Sequence, residues 1–454
     1  MKGPKPLTVV IKLGTSSIVD EKTHEPLLSI LTSIVETAVK LRKDGHKVVI
    51  VSSGAIGVGL RRMDVEKRPK HLSKLQALAA IGQCRLMSLW DSLFGHLRQP
   101  IAQILLTRND IADRTRYLNA QNTIMELLEM GVIPIVNEND TLAVAEIKFG
   151  DNDTLSAITA AMVHAHFLFL MTDVDCLYDK NPRTHPDAKP IEEVEDIAAI
   201  RADVSSAGSS LGTGGMGTKI VAARLATSAG VTTVITRSSL PGNIVKIVRY
   251  LQARKKYTSS SSHHTPVGDD EAEDPLSRST ASLALDVIDK PPLHTRFLPL
   301  SQPIRDRYFW ILHGLAPHGT IYIDVGAHRA LSDKAGLLPV GVVDVEGNFA
   351  QQEAVRLVVV EKKSEPGPDG RLWEGPVVEV GRALVNYAAS EVLRIKGHRS
   401  AQIESLLGYA DSEYVADRES ISLLHRESRP VTPVFDKVNE NGGGMAAYEN
   451  DISL

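Results

Sequence analysis

The sequence predicts an α/β protein: a mostly parallel sheet sandwiched by helices, followed by a smaller, β-rich, barrel-like region. Three observations carry this. Short β-branched runs without polar alternation recur between residue 7 and about residue 250, as strands buried on both faces require. Helical patterns separate those runs, so strand–helix–strand units repeat. After Tyr250 the alternation stops, and from about Pro303 short strands punctuated by Gly and Pro take over, the pattern of a small barrel or sandwich.

The predicted strands are Thr8–Leu13, Lys47–Ser52, Ile101–Leu106, Val132–Asn137, Phe167–Thr172 and Thr232–Thr236. Between the first two, Leu27, Leu31, Ile34, Ala38 and Leu41 recur at steps of four and three, one face of a helix. Gly45 and Gly230 stand where helix C-caps are expected. Thr107–Asn122 reads as a charged loop after the third strand, either lining a pocket or subunit contact or simply solvated. Residues 256–302 read as a flexible linker, because their serine run, histidine pair and acid cluster lack apolar periodicity. The second domain is placed at residues 303–410, opening with RYFWILHG and GTIYIDVGA as β-rich segments, with Lys362–Gly375 as a loop inserted into a hairpin. Residues 411–454 read as a polar tail. The first domain, residues 1–255, holds the chemistry in this reading, so the second region is expected to be dispensable for it.

A length of 454 residues suits two or three domains. Lys and Arg total 51 against 55 Asp and Glu, a net charge of −4, which argues against non-specific nucleic-acid binding as the main role. Two cysteines, Cys84 and Cys176, are too few for a disulfide framework or zinc ribbon. No run of about 18 apolar residues predicts a membrane span, and the N-terminus lacks a secretory pattern, so a cytoplasmic location is expected.

Ligands of parallel sheets sit at the carboxyl ends of strands. Lys12, Gly14 and Thr15 gather there, with Ser53-Gly54-Ala55, the run Asn137 to Asp140, then Asp151, Asn152 and Asp153, and finally Thr172 and Asp173. Ser53-Gly54-Ala55 suits anion binding at a helix start, and equally suits plain capping. Asp151 and Asp153 with Asn152 exceed what a cap requires, which favours a ligand or metal. In LGTGGMGTK, Gly212, Gly214 and Gly217 match a dinucleotide fingerprint but follow no buried strand, and the Walker A order is wrong. A glycine-rich loop with Lys219 in the following helical turn still suits nucleotide phosphates. His164 and His166 read as core or surface residues, and His263 and His264 as solvated; no set of protein side chains is assigned to a metal.

Taken in order, VVIKLGTS, VIVSSGAI, NENDTLAVAEIKFGDNDTLSA, LMTDVDCLY and LGTGGMGTKIVAARLA closely resemble the glutamate 5-kinases of the amino-acid kinase superfamily. GTIYIDVGAHRAL, GLLPVGVVDVEGNF and YAASEVLRIKGHRSAQIESLLGY resemble the PUA domain that follows the kinase domain in that family. The long linker, the Lys362–Gly375 insertion and the tail depart from the pattern, and none falls on a kinase motif. The resemblance implies the amino-acid kinase fold and ATP-dependent phosphorylation of the γ-carboxylate of L-glutamate, the first step towards proline. It implies that Lys12 and Lys219 neutralise the transferring phosphoryl group and that Asp153 positions them. Ser53, Asp140 and Asn152 match the glutamate-binding positions. Lys12, Thr172, Asp173, Thr213, Gly214, Gly215, Met216, Gly217, Thr218 and Lys219 match the ATP-binding positions. Mg²⁺ as partner of ATP, a homo-oligomer and feedback inhibition by proline are further implications. PUA domains also bind RNA, but residues 300–410 carry 12 Lys and Arg against 13 Asp and Glu, which leaves RNA binding unsupported.

A carboxylate with an ordinary pKa near 4.3 is already ionised at neutral pH, so the implied reaction needs no general base. Positioning and charge neutralisation are what remain for the protein to supply.

Overall fold

The apolar strands become the centre of one large sheet. The computed structural model describes residues 5–142, 152–197, 200, 215–261, 290–304, 306–363 and 373–424. Strands β1 (Thr8–Leu13), β2 (Lys47–Ser52), β3 (Ile101–Leu106), β4 (Ile133–Glu138) and β5 (Phe167–Thr172) are all parallel to their neighbours. Three short strands, β6 (Leu177–Tyr178), β7 (Pro190–Ile191) and β8 (Glu193–Val194), precede β9 (Thr232–Arg237), which is parallel to β5. The order across the sheet is β3-β4-β2-β1-β5-β9-β10-β8, where β10 is Thr295–Phe297. Beyond β1 the chain builds outward on one side and then returns to the other, so β1 stands at a topological switch point.

Period-two geometry sorts each strand between two cores. Val9, Ile11 and Leu13 join Val48, Ile50, Phe167 and Phe169 on one face, beneath Leu31, Ile34, Trp90 and Phe94. Val10, Val49, Val51, Leu168 and Leu170 line the other, beneath Tyr117, Leu155, Ile158 and Ala223. The helices on the first face are α1 (Leu28–Lys43) and α3 (Leu72–Gly95), with α2 (Ala55–Arg62) at the sheet edge. On the second are α4 (Arg108–Ala112), α5 (Arg114–Glu129), α6 (Asn152–Met162) and α7 (Met216–Ser228), and α8 (Asn243–Ser261) returns to the first. Lys12 is two residues after Val10 and therefore points towards α6 and α7.

The second sheet has the order β12-β11-β13-β14-β15, from β11 (Gly319–Ile323), β12 (Val342–Gly347), β13 (Ala354–Lys362), β14 (Trp373–Leu384) and β15 (Ile421–Leu423). It closes over its own core of Ile321, Leu357, Val385, Tyr387 and Ile403. The β13–β14 pair is antiparallel up to Lys362 and Trp373, so Trp373–Gly375, predicted as the end of the inserted loop, lie in β14.

Four expectations change. Thr107–Asn122 is helical: Thr107 and Asp110 form a capping box on α4, and Asp113 caps α5, so polar residues that suggest a loop are caps instead. The segment read as linker contains the end of α8 and strand β10, which pairs antiparallel with β9; residues 262–289 lie outside the described ones. RYFWILHG is helical, Asp306–Phe309 continuing as a wide turn through Gly314, because Trp310 and Ile311 pack into the core on the second face of the large sheet rather than into a strand pair. The second sheet also passes Ala410: Val415 and Ala416 are fully buried and β15 pairs with β14.

Candidate active site

Lys12 on β1, Asp153 in the first turn of α6 and Lys219 in the first turn of α7 converge at the carboxyl edge of the sheet. Asp153 is 0% exposed, Lys12 3% and Lys219 7%. The Lys12 ammonium is ion-paired to Asp153 Oδ1, and Lys219 Nζ lies 3.3 Å from Asp153 Oδ2. Thr218 Oγ1 donates to that same Oδ2 at 2.7 Å. Burial disfavours the Asp153 charge, but Lys12 and Lys219 outweigh it and hold the carboxyl down at about 2. One carboxylate between two ammonium groups leaves a unit of positive charge in a nearly dry site, which suits an incoming phosphate.

The surrounding backbone is cut to leave room. A Cβ added to Gly14 would lie 3.8 Å from Lys12 Nζ, in ordinary contact with the ammonium. Gly54, which precedes α2, has φ of +102°, a left-handed conformation that favours glycine. The α2–α3 contact is close enough that a Cβ on Gly82 would stand 1.7 Å from the Ala55 carbonyl oxygen. That approach fixes the Ser53-Gly54-Ala55 turn, whose Ser53 amide donates to the Leu13 carbonyl next to Lys12.

A chain of amides runs from α3 into the site. Gln83 accepts from Asn137 Nδ2 at 2.9 Å, Asn137 Oδ1 accepts from Asn152 Nδ2 at 3.0 Å, and Asn152 Nδ2 also reaches Ser53 Oγ at 2.7 Å. Among the described residues Asn152 Oδ1 is buried without a hydrogen-bond partner, an acceptor that a ligand ammonium would satisfy. Asp140 follows β4, in a turn whose Asn139 amide donates to the Leu106 carbonyl.

On the other side, Lys12 pairs in register with Leu170, which places Thr172 on the same face and edge. Thr172 donates to Asp173 at 3.1 Å, and the exposed Asp173 is ion-paired to Arg183. At the α7 start, the Gly215 amide donates to Thr218 Oγ1 at 3.0 Å, and Met216, Gly217 and Thr218 form the first turn. Thr213, Gly214 and Asp151 lie outside the described residues. The structure thus brings together Lys12, Asp153, Thr218 and Lys219 as one cluster and Ser53 and Asn152 as another. Gln83 and Arg183 escaped the sequence reading; for Gln83 the one available signal was Gly82 beside it in an otherwise unbroken helix.

Among the described residues, no group of three or more His, Cys, Asp or Glu side chains is placed to hold a metal ion, and no helix is long and apolar enough to cross a membrane.

A model of the amino acid kinase family matches residues 7–237, and a PUA domain model matches residues 319–407. A probable glutamate 5-kinase of Schizosaccharomyces pombe is 54% identical over 418 residues, covering 91% of this chain and 93% of its own length. The chain belongs to the glutamate 5-kinase family. A glutamate 5-kinase of Rippkaea orientalis is 43% identical, with 92% of this chain and 99% of that protein covered. An uncharacterised protein of Saccharomyces cerevisiae is 48% identical over 92% of this chain and 98% of its own. Glutamate 5-kinase relatives therefore align with both sheets, the kinase unit and the PUA unit alike.

Proposed function

We propose that the Lys12–Asp153–Lys219 cluster carries the reaction named in these relatives, transfer of the γ-phosphoryl group of ATP to the γ-carboxylate of L-glutamate. The observation that carries the reading is one fully buried carboxylate shared by two buried lysines at the sheet's switch point. A γ-carboxylate oxygen forms a bond to the γ-phosphorus while the bond from that phosphorus to the bridging oxygen breaks, and ADP leaves with the electron pair. Lys12 and Lys219 balance the charge on the moving phosphoryl group, and Asp153 holds both ammonium groups in place. Ser53, Asn152 and Asp140 supply the glutamate end: Asn152 Oδ1 faces the α-ammonium, and Asp140 adds the opposing charge. Thr172, Asp173 and the α7 entry from Thr213 to Lys219 supply the nucleotide end.

Mg²⁺ fits this arrangement as the companion of the nucleotide. Asp153 is taken up by its two lysines and Asp173 by Arg183, so the phosphates themselves would hold the ion. When bound, Mg²⁺ adds positive charge to the β- and γ-phosphates. A cytoplasmic homo-oligomer inhibited by proline completes the proposal. Proline keeps the α-carboxylate and a cationic amine but offers no γ-carboxylate, so it would occupy the Asp140–Asn152 end without reacting.

The test is ATP-dependent formation of an acyl phosphate, trapped with hydroxylamine, with glutamate, aspartate and N-acetylglutamate offered in parallel. Product from glutamate alone is expected. Preferential product from either other acid would overturn the assignment.

A further inference from the structure

A second cationic site lies where the two sheets meet. Trp310 Nε1 donates to the Ile111 carbonyl at 2.8 Å, docking the helical segment before β11 onto α4. Beside this contact opens a cleft of about 1100 Å³, lined by Arg108, Arg114, Arg116, Arg307, Trp310 and His318 among others. Its two lining acids are already engaged: Asp113 caps α5, and Glu353 is 2.9 Å from His318 and accepts from the Ala350 amide. Arg116 is paired to Asp110 at 3.0 Å, and Arg307 donates Nε to the Glu419 carbonyl.

Two arginines are left over. Among the described residues Arg108 makes no ion pair, and its charge instead bears on Arg382. The Arg382 guanidinium is pushed below its usual range first by burial, with Arg108 and Arg356 adding to the effect and Glu379 opposing it. Arg114 lies over the rings of Tyr117 and Trp310 at 5.3 and 5.2 Å, with its Nη1 buried and, among the described residues, without an acceptor. A buried donor of this kind is costly unless an acceptor arrives, and guanidinium pairs match the paired oxygens of phosphates.

We propose that this cleft is a binding site for a small phosphate-bearing anion, separate from the Lys12–Lys219 site. A small molecule is favoured over a nucleic acid because the arginines line a concavity of ligand size, while the second region as a whole carries no positive excess. The proposal goes beyond the kinase reading and stands on different residues.

Inorganic pyrophosphate is the probe, titrated calorimetrically into the full chain and into Arg108→Gln and Arg307→Gln. The lysine site also takes phosphates, so two binding events are expected. One of them should weaken tenfold or more in each variant while the other is unchanged, and glutamate phosphorylation without the probe should stay near wild type. Retained activity shows that the variants are folded. Absence of binding, or binding that both variants keep in full, would overturn the proposal. Arg108-sensitive binding of an RNA oligonucleotide with no response to pyrophosphate would overturn it as well.

Discussion

Two clusters of positive charge distinguish this molecule, and they differ in how the charge is met. In the first, Lys12 and Lys219 sit nearly dry against a carboxylate held at about 2, so two cations share one anion inside the fold. In the second, arginines line the joint between the sheets, and the nearby acids are committed elsewhere. A paired buried charge is rigid and preorganised, which serves chemistry on a moving phosphoryl group. An unpaired one at a joint invites a ligand. Position and compensation, rather than residue type, separate the two roles proposed.

The largest expected effect concerns the joint. A chain ending at Lys255 loses β10 and the docked Phe309, Trp310 and Ile311, all of them buried. Each large core side chain removed typically costs about 3–5 kcal/mol, so this truncation should fail to give a folded monodisperse protein. That revises the expectation that everything after the kinase motifs is dispensable. A chain ending at Gly314 keeps those residues and should fold and phosphorylate glutamate. Size-exclusion and urea unfolding of the two truncations decide the matter, and equal behaviour would mean that the docking contributes nothing.

Next is Asp153→Asn, which leaves two buried lysines facing each other without their anion. Removing one partner of a buried pair costs about 3–5 kcal/mol, and kcat should fall at least a hundredfold with it. The wild-type carboxyl is lowered on folding, so its contribution is present above about pH 4 and lost as pH falls towards 2. Urea unfolding against pH should show that acid limb in the wild type and lack it in the variant.

A smaller effect is expected at His313, beside the joint. Burial, then Arg382 and Arg224, push this imidazole down to about 4, and its ring packs against Phe309. Its folded value lies below its unfolded one, so the unfolded chain takes up the proton first. Stability is therefore full above about pH 6.5 and declines as pH drops towards 4, by roughly 2 kcal/mol after allowing for partial exposure. His313→Phe should flatten that slope, and an unchanged slope would place the titration elsewhere.

The smallest effect belongs to the amide chain. Gln83→Leu removes the acceptor for Asn137 and loosens Asn152 indirectly. The KM for glutamate should rise a few-fold with kcat and the KM for ATP little changed. A loss of kcat alone would place Gln83 in the transfer step instead.

What was legible in the sequence follows from burial. β1, β2, β4 and β5 are buried on both faces, and their apolar runs admit few other readings. β10 is three residues long and antiparallel at the sheet's far side, too short to carry any period. Thr107, Asp110 and Asp113 look like loop residues because capping uses the same polar side chains that loops do. The aromatic and β-branched run around Trp310 has strand composition, yet its burial comes from the other sheet's core, a tertiary effect that local propensity does not encode. In the site, Lys12, Asp153 and Lys219 stand at strand ends or helix starts, where ligands of parallel sheets gather, and their individual roles came from the resemblance. Gln83 lies mid-helix and reaches the site through Asn137, so only the neighbouring Gly82 marks it locally.

Lys219 is proposed to act on charge that shifts during transfer, and the kinetics of Lys219→Ala test this most directly. The variant should show kcat lowered a hundredfold or more, with the KM for glutamate nearly unchanged. Near-normal kcat with only a raised KM for ATP would contradict it, making Lys219 a ground-state nucleotide binder.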